Sequence, residues 1–163
     1  GLYAGQRTVQ DSQIRDLYGN SPVWCPRVRL GLVGGLSLGA SYEGGYSEDA
    51  AIGLLSLDST LKLSAFEFFA AYHFDLGRVE PYARVGVSFQ KYEQTVTGAP
   101  AGYKVDDKKT TWSLAGGLRV FLVSNLYLAG EVAFSPLKVQ PYETSIKLGG
   151  ARYLLGAGFV FGR

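Results

Sequence analysis

From Thr111 to Phe134 the chain reads TWSLAGGLRVFLV, then Ser-Asn, then LYLAGEVAF. These are two runs of alternating residues joined by a short turn, the signature of a β-hairpin with unlike faces. One face carries Trp112, Leu114, Leu118, Val120 and Leu122, then Leu126, Leu128, Val132 and Phe134. The other carries Thr111, Ser113, Ala115, Gly117 and Arg119, then Tyr127, Ala129, Glu131 and Ala133. A sheet half-exposed to water shows its long polar side chains to solvent. Here the polar face is mostly Gly, Ala and Ser with single charges, which suits a crowded enclosure. The bulky face requires an extended apolar surrounding. A membrane-spanning barrel meets both conditions, since its strands run apolar-out and polar-in with aromatic girdles at the interfaces. Trp112 and Phe134, at the far ends of the hairpin, fit such a girdle. A soluble sandwich or lipocalin-like barrel with the apolar side inward is the competing reading.

Taken in order, the rest of the chain repeats the pattern. Residues 1–10 form a weak first strand with Tyr3, Gly5, Arg7 and Val9 on one face. Asp11 to Tyr18 switches to helical spacing, with Asp11 or Ser12 as cap and Gly19 as terminator. Alternation resumes at Pro26 to Val33, and Gly34-Gly35 supplies a hairpin turn that needs positive φ at two positions. Leu36 to Ser47 places Leu36, Leu38, Ala40, Tyr42 and Tyr46 on the apolar side. Glu48 to Ser59 is a longer connection that can extend its flanking strands. Further strands are expected at Thr60 to Phe74, Pro81 to Glu93 (Val85 and Val87 outward), the central hairpin, and Ile146 to Phe161. Asp75 to Glu80 reads as a short turn, and Thr95 to Lys109 and Ser135 to Ser145 as long polar loops. The count is about eight strands, with short turns on one rim and long loops on the other, as in outer-membrane barrels. No charge falls in the middle of a lipid-facing stripe; Lys62 and Lys91 lie near the long-loop ends.

Composition narrows the alternatives. At 163 residues the chain is expected to form one domain. Charged residues make up 18% and glycine stands at 22, a balance that favours β structure with many turns. A net charge of +2 gives no footprint for nucleic acid. No run approaches the roughly 18 apolar residues of a membrane helix, so strands must do any spanning. The lack of Met and of a leader-like segment suggests a processed mature chain. Cys25 is the only cysteine and is expected in the first loop, exposed beside Trp24; it excludes an internal disulfide and a cysteine-based zinc site.

With this pattern, including the terminal aromatic strand RYLLGAGFVF, the chain resembles the small eight-stranded outer-membrane barrels of the outer membrane protein A and X type. The resemblance covers nearly the whole chain and rests on pattern rather than on a signature motif. It implies an all-β, antiparallel, up-and-down transmembrane barrel in a Gram-negative-type outer membrane, in contact with lipid and lipopolysaccharide. Members of that class normally end on Phe, whereas here Gly162-Arg163 follow Phe161.

The barrel reading assigns roles. Lipid-facing residues are Leu114, Leu118, Val120, Leu128, Val132, Val85, Val87, Leu155 and Phe159; the girdle includes Trp112, Phe134, Tyr153 and Phe161. The inward charges are Arg27, Arg29, Glu43, Glu67, Arg84, Arg119, Glu131 and Arg152. The interior of an eight-stranded barrel is just wide enough for side chains to fill it, and buried charges must pair. A salt-bridge network plugging the lumen is therefore preferred over a pore or binding site. No catalytic residues, metal or cofactor are assigned. His73, the sole histidine, is taken as a satisfied interior or interfacial side chain, too far along its strand from Glu67 to pair with it. Asp106-Asp107-Lys108-Lys109 reads as a solvated stretch of mixed charge rather than a cation site. The functional expectation is a non-enzymatic structural or adhesive barrel whose long loops meet a protein partner. A secreted barrel that self-associates through its apolar outer face, and a soluble carrier, are the alternatives.

Overall fold

A computed structural model describes residues 1–52, 57–97, 103–139 and 146–161. Its strands are β1 (Leu2–Arg7), β2 (Ser21–Gly31), β3 (Leu36–Ile52), β4 (Leu57–His73), β5 (Val79–Thr97), β6 (Tyr103–Phe121), β7 (Leu126–Ser135), β8 (Lys138–Val139), β9 (Ile146–Lys147) and β10 (Gly150–Phe159). Among the described residues eight of them close a barrel in the order β1-β10-β7-β6-β5-β4-β3-β2, every neighbour antiparallel. β8 and β9 form a separate two-stranded ribbon, and a helix α1 (Ser12–Tyr18) stands between β1 and β2.

Side-chain direction follows the alternation. Leu114, Leu118, Val120, Leu128, Val132, Val85, Val87, Leu155 and Phe159 are all exposed on the outer wall. Rings form two groups on that wall. Trp24 meets Tyr42 at 5.5 Å, Phe66 meets Phe68 at 4.9 Å, and Trp112 meets Phe134 at 5.8 Å toward the long-loop rim. Tyr72–Phe74 at 4.8 Å and Phe159–Phe161 at 5.0 Å lie toward the short-turn rim. Phe66 to Phe74 covers about 27 Å of strand, or about 20 Å along the axis at the usual tilt of roughly 40°. That height approaches the apolar band of an outer-membrane barrel.

The short turns obey strand parity. Leu32 N–H donates to Leu36 O at 2.8 Å and Leu122 N–H to Leu126 O at 2.9 Å, so both hairpins have three-residue loops rather than two. Gly34 and Gly35 do take positive φ, at 71° and 81°, within a 3-10 turn that also includes Val33. Only an odd loop lets Leu32 and Leu36, or Leu122 and Leu126, share the outer face. Between β4 and β5 the inward residues change from odd to even numbers, and there the turn is the even pair Gly77-Arg78 between Leu76 and Val79.

Four expectations change. Thr95 to Lys109 is mostly strand, whereas Glu48 to Ser59 extends its flanking strands as expected: β3 to β6 have 17, 17, 19 and 19 residues, against 11, 10 and 10 in β2, β7 and β10. These four strands continue roughly 30 Å beyond the upper rings as a projecting wall, and residues 53–56, 98–102, 140–145 and 162–163 of the expected loops and tail lie outside the described set. Secondly, Tyr46 points inward and is buried, because β3 slips register between Glu43 and Tyr46. Gly45, at φ 100°, supplies the backbone for that bulge. Thirdly, Glu80 belongs to β5 rather than to a turn.

Finally, Cys25 lies within β2, not in an exposed loop, and its side chain is buried in the lumen. A bulky maleimide added to the folded barrel is expected to leave Cys25 unmodified, and to label it fully once the barrel is unfolded by heating in detergent. Rapid labelling of the folded form would contradict the burial.

Candidate functional site: a charged lumen under an apolar cap

Every strand sends alternate side chains inward, so the polar residues that the outer wall lacks converge on the axis. Six arginines (Arg7, Arg27, Arg29, Arg84, Arg119, Arg152) meet four glutamates (Glu43, Glu67, Glu80, Glu131) among the described residues. Glu131 of β7 is the centre. Arg27 of β2 donates to it twice, at 2.6 and 2.9 Å, and Arg84 of β5 twice, at 2.9 and 3.2 Å. The Tyr82 hydroxyl adds a fifth hydrogen bond at 2.8 Å. Arg84 also donates to Glu67, which accepts from Ser113 at 2.8 Å. Nearer the mouth, Glu43 joins Arg7 at 2.6 Å to Arg152, and Arg7 reaches Gln90 at 2.9 Å.

Two more cations than anions share this space, and aromatic faces take up part of the difference. The Arg27 guanidinium sits 4.2 Å from the centre of the Tyr3 ring. Arg119 lies between Tyr82 and Tyr127 at 4.8 and 5.0 Å. A cation over a ring is attracted by its quadrupole, more strongly when desolvated.

Toward the short-turn rim stands a second group. His73 Nδ1 lies 2.9 Å from Glu80 Oε1, and Ser37 Oγ lies 2.9 Å from His73 Nε2. This order of Ser, His and carboxylate has the connectivity of an acyl-transfer triad. Its surroundings oppose that chemistry. Arg29 Nη1 approaches the same Nε2 at 2.7 Å, where the base would take the serine proton. Arg119 donates to Glu80 at 2.8 Å, and Ser37 is 2% exposed. The imidazole is thus held by four strands rather than offered to a substrate. A fluorophosphonate probe is expected to leave Ser37 unlabelled in the folded barrel; stoichiometric labelling would reverse this assignment.

Above the charges the interior becomes apolar. Val9, Leu137 and Leu148 come from the connections after β1, after β7 and before β10, and pack in one buried cluster with Tyr46, Leu61, Leu63 and Tyr92. Their backbones are tied together: Gln10 N–H donates to Gly149 O at 2.7 Å, and Gly149 N–H to Leu137 O at 3.0 Å. The connections fold inward against the wall, where Val9, Leu137 and Leu148 are buried. Among the described residues no group of His, Cys, Asp and Glu is arranged to hold a metal ion.

Arg27, Arg29, Glu43, Glu67, Arg84, Arg119, Glu131 and Arg152 all point inward and all take part in these contacts. Trp112, Phe134, Tyr153 and Phe161 lie on the outer surface. Arg7 and Glu80 are network members the sequence reading did not select. Arg7 shares the parity of inward Tyr3, and Glu80 that of Tyr82 and Arg84, so the signal was present in both cases.

The same architecture occurs in solved structures. The N-terminal β-barrel domain of OprF from Pseudomonas aeruginosa aligns with a TM-score of 0.61 at 14% identity, covering 97% of this chain and 93% of that one. Neisserial surface protein A aligns at 0.66 and 17%, covering 98% and 94%. The attachment invasion locus protein Ail of Yersinia pestis, in complex with the heparin analogue sucrose octasulfate, aligns at 0.61 and 14%, covering 97% and 95%. No curated protein matches. Residues 25–161 match the family described as "Outer membrane protein beta-barrel domain". The chain therefore belongs to that family, and its place is the outer membrane.

Proposed function

We propose that this barrel is a non-conducting, non-enzymatic anchor that holds an adhesive wall above the outer membrane. The observation that carries the reading is the division of the molecule into a plugged lower half and a projecting upper half. Ion pairs occupy the lumen at membrane height and buried apolar side chains from the connections lie above them, which supports a closed lumen among the described residues. β3 to β6 meanwhile rise well past the ring belt, further than a span requires. A paired sheet holds its tips in place without the ordering entropy a flexible loop would lose on contact with a partner. The Ail barrel of similar fold was solved with a heparin analogue, which favours an adhesive use of such a surface. The outward apolar wall opposes the soluble-carrier alternative.

Two measurements test the proposal. In planar bilayers the reconstituted barrel is expected to give no conductance above that of the lipid alone. Displayed on non-adherent bacteria, the full chain is expected to promote attachment to heparin-coated or matrix-coated surfaces. A variant with the β3–β4 and β5–β6 projections cut back to short turns should keep its heat-modifiable mobility and lose attachment. Steady channels, or attachment unchanged by trimming, would each count against the proposal.

A further inference from the structure

The positive excess of the lumen can be located. Arg29, its side chain 18% exposed, stands at the short-turn mouth, where water reaches it. Deeper in, five arginines (Arg7, Arg27, Arg84, Arg119, Arg152) face four glutamates (Glu43, Glu67, Glu80, Glu131) among the described residues. Three of those arginines rest against an aromatic face: Arg27 on Tyr3 at 4.2 Å, Arg84 on Phe69 at 5.1 Å and Arg119 on Tyr82 at 4.8 Å. Arg7 and Arg152 have no such ring among the described residues. They stand directly opposite each other on β1 and β10, the strands that close the barrel, and they share one carboxylate, Glu43. Like charges opposed in that way are unfavourable. Glu67 does not neutralise them, because it already serves Arg84 and lies 3.7 Å from Arg152 Nη2.

The unpartnered donors sit on this same group. Arg152 turns Nη1 to Glu43, while Nε and Nη2, the two parallel N–H groups of its other edge, are buried without a hydrogen bond among the described residues. Arg7 gives Nη1 to Glu43 and Nη2 to Gln90 Oε1 at 2.9 Å, and its Nε has no partner either. Gln90, 2% exposed, is held by its oxygen, which leaves its Nε2 as a further buried donor. A buried donor without an acceptor is costly, and a buried charge without a partner more so. One small acceptor with a single negative charge would answer both.

We propose that the lumen binds one halide-sized monovalent anion between the Nε–Nη2 edge of Arg152 and the Nε2 amide of Gln90, with the Arg7 guanidinium beside it. A single charge fits because the deep lumen has one arginine more than it has glutamates. Small size fits because the interior of an eight-stranded barrel is just wide enough for its own side chains. Sulfate or phosphate would bring both more charge and more bulk. An anion fits better than water because the unpartnered atoms of Arg7, Arg152 and Gln90 are all donors and the excess charge lies on them. Glu67 Oε2 is the acceptor beside this group without a hydrogen bond, and a water bridging it to Arg152 Nη2 is the competing occupant. The anion would be a structural ligand, linking β5 to the closing seam of β1 and β10.

The test pairs diffraction at the bromine edge, from crystals of the full chain grown in sodium bromide, with urea unfolding in lipid vesicles. In the unfolding series chloride replaces gluconate at fixed ionic strength, so general screening stays constant. A bromine peak in contact with Arg152 and Gln90 is expected, with a midpoint that climbs with the logarithm of chloride once the site fills. Gln90→Glu places a fixed carboxylate beside Arg7 and should abolish the halide response, holding in gluconate the midpoint that the parent chain reaches in chloride. Arg152→Gln removes the excess charge and should lose the bromine peak. A water in that position, a midpoint indifferent to chloride, or a halide response that survives Gln90→Glu would overturn the proposal. A bromine peak without any halide response marks an adventitious ion only and overturns it as well. Heat-modifiable mobility is recorded on every sample; if a variant fails to fold, the bromine peak and chloride response of the parent chain decide alone.

Discussion

Replacing Glu131 with glutamine is expected to lower the stability of the barrel by about 3–5 kcal/mol, the usual result of removing one partner from a buried ion pair. Two guanidiniums depend on this carboxylate. Arg27 and Arg84 together place four N–H groups on it between 2.6 and 3.2 Å, and Tyr82 places its hydroxyl there as well. Glutamine keeps the shape but removes the charge, and its amide N–H₂ turns donors toward donors. Arg27 then remains desolvated with only aromatic faces such as the Tyr3 ring beside it, and Arg84 keeps Glu67 alone. Reversible urea unfolding in lipid vesicles reads the loss as a lower midpoint at unchanged slope. A fourfold replacement, Glu131→Leu with Arg27→Met, Arg84→Met and Glu67→Gln, should recover most of it, because Arg84 also serves Glu67 and an apolar core of similar volume avoids the desolvation of all four ions. By contrast, Lys109→Gln on the projecting wall removes an exposed pair and is expected to change stability by less than about 1 kcal/mol. If Glu131→Gln unfolds at the parent midpoint, the lumen network is not what holds the strands in register.

The inward direction of Arg27, Arg84, Arg119, Glu131 and Arg152 was legible in the sequence because side-chain direction in a strand is a matter of parity. Parity was read well within each strand and less well across the turns. Leu122 and Leu126 are both apolar and both even-numbered, which already requires an odd loop, yet the Ser-Asn dipeptide suggested two residues. The bulge at Gly44-Gly45 is harder to see. A single inserted residue reverses every later side chain, and Tyr46 suits either face until its neighbours are known. Over Thr95 to Lys109 the polar composition points to a loop while the alternation points to strand, and the alternation prevails. Lys104, Asp106 and Lys108 keep strict period two, and the charges of Lys104 and Asp106 pair with β5 instead of dissolving the sheet. What no single strand contains is which charges meet. Glu80 finds His73 across one hairpin, but Arg7 finds Glu43 and Arg27 finds Glu131 only because the barrel closes.

Leu118 and Arg119 are adjacent on β6 and separate the two environments of the barrel. Leu118 is 43% exposed on the outer wall, while Arg119 is 2% exposed and paired with Glu80 at 2.8 Å. Leu118→Arg is expected to cost about 2–4 kcal/mol in lipid, the range for an arginine facing the bilayer midplane. Leu118 lies between the Trp112 ring and the turn after Phe121, opposite Gly130 of β7, so a guanidinium there has apolar side chains of the same stripe above and below it. The cost should fall with height along the same face. Thr110→Arg, one alternation above Trp112, should change stability by no more than about 1 kcal/mol. Folding into vesicles of graded acyl-chain length supplies the measurement, because a thicker bilayer lengthens the route out for Leu118→Arg and hardly affects Thr110→Arg. An arginine tolerated equally at both positions would mean that the apolar wall does not face lipid, and the assignment of faces on every other strand would fall with it.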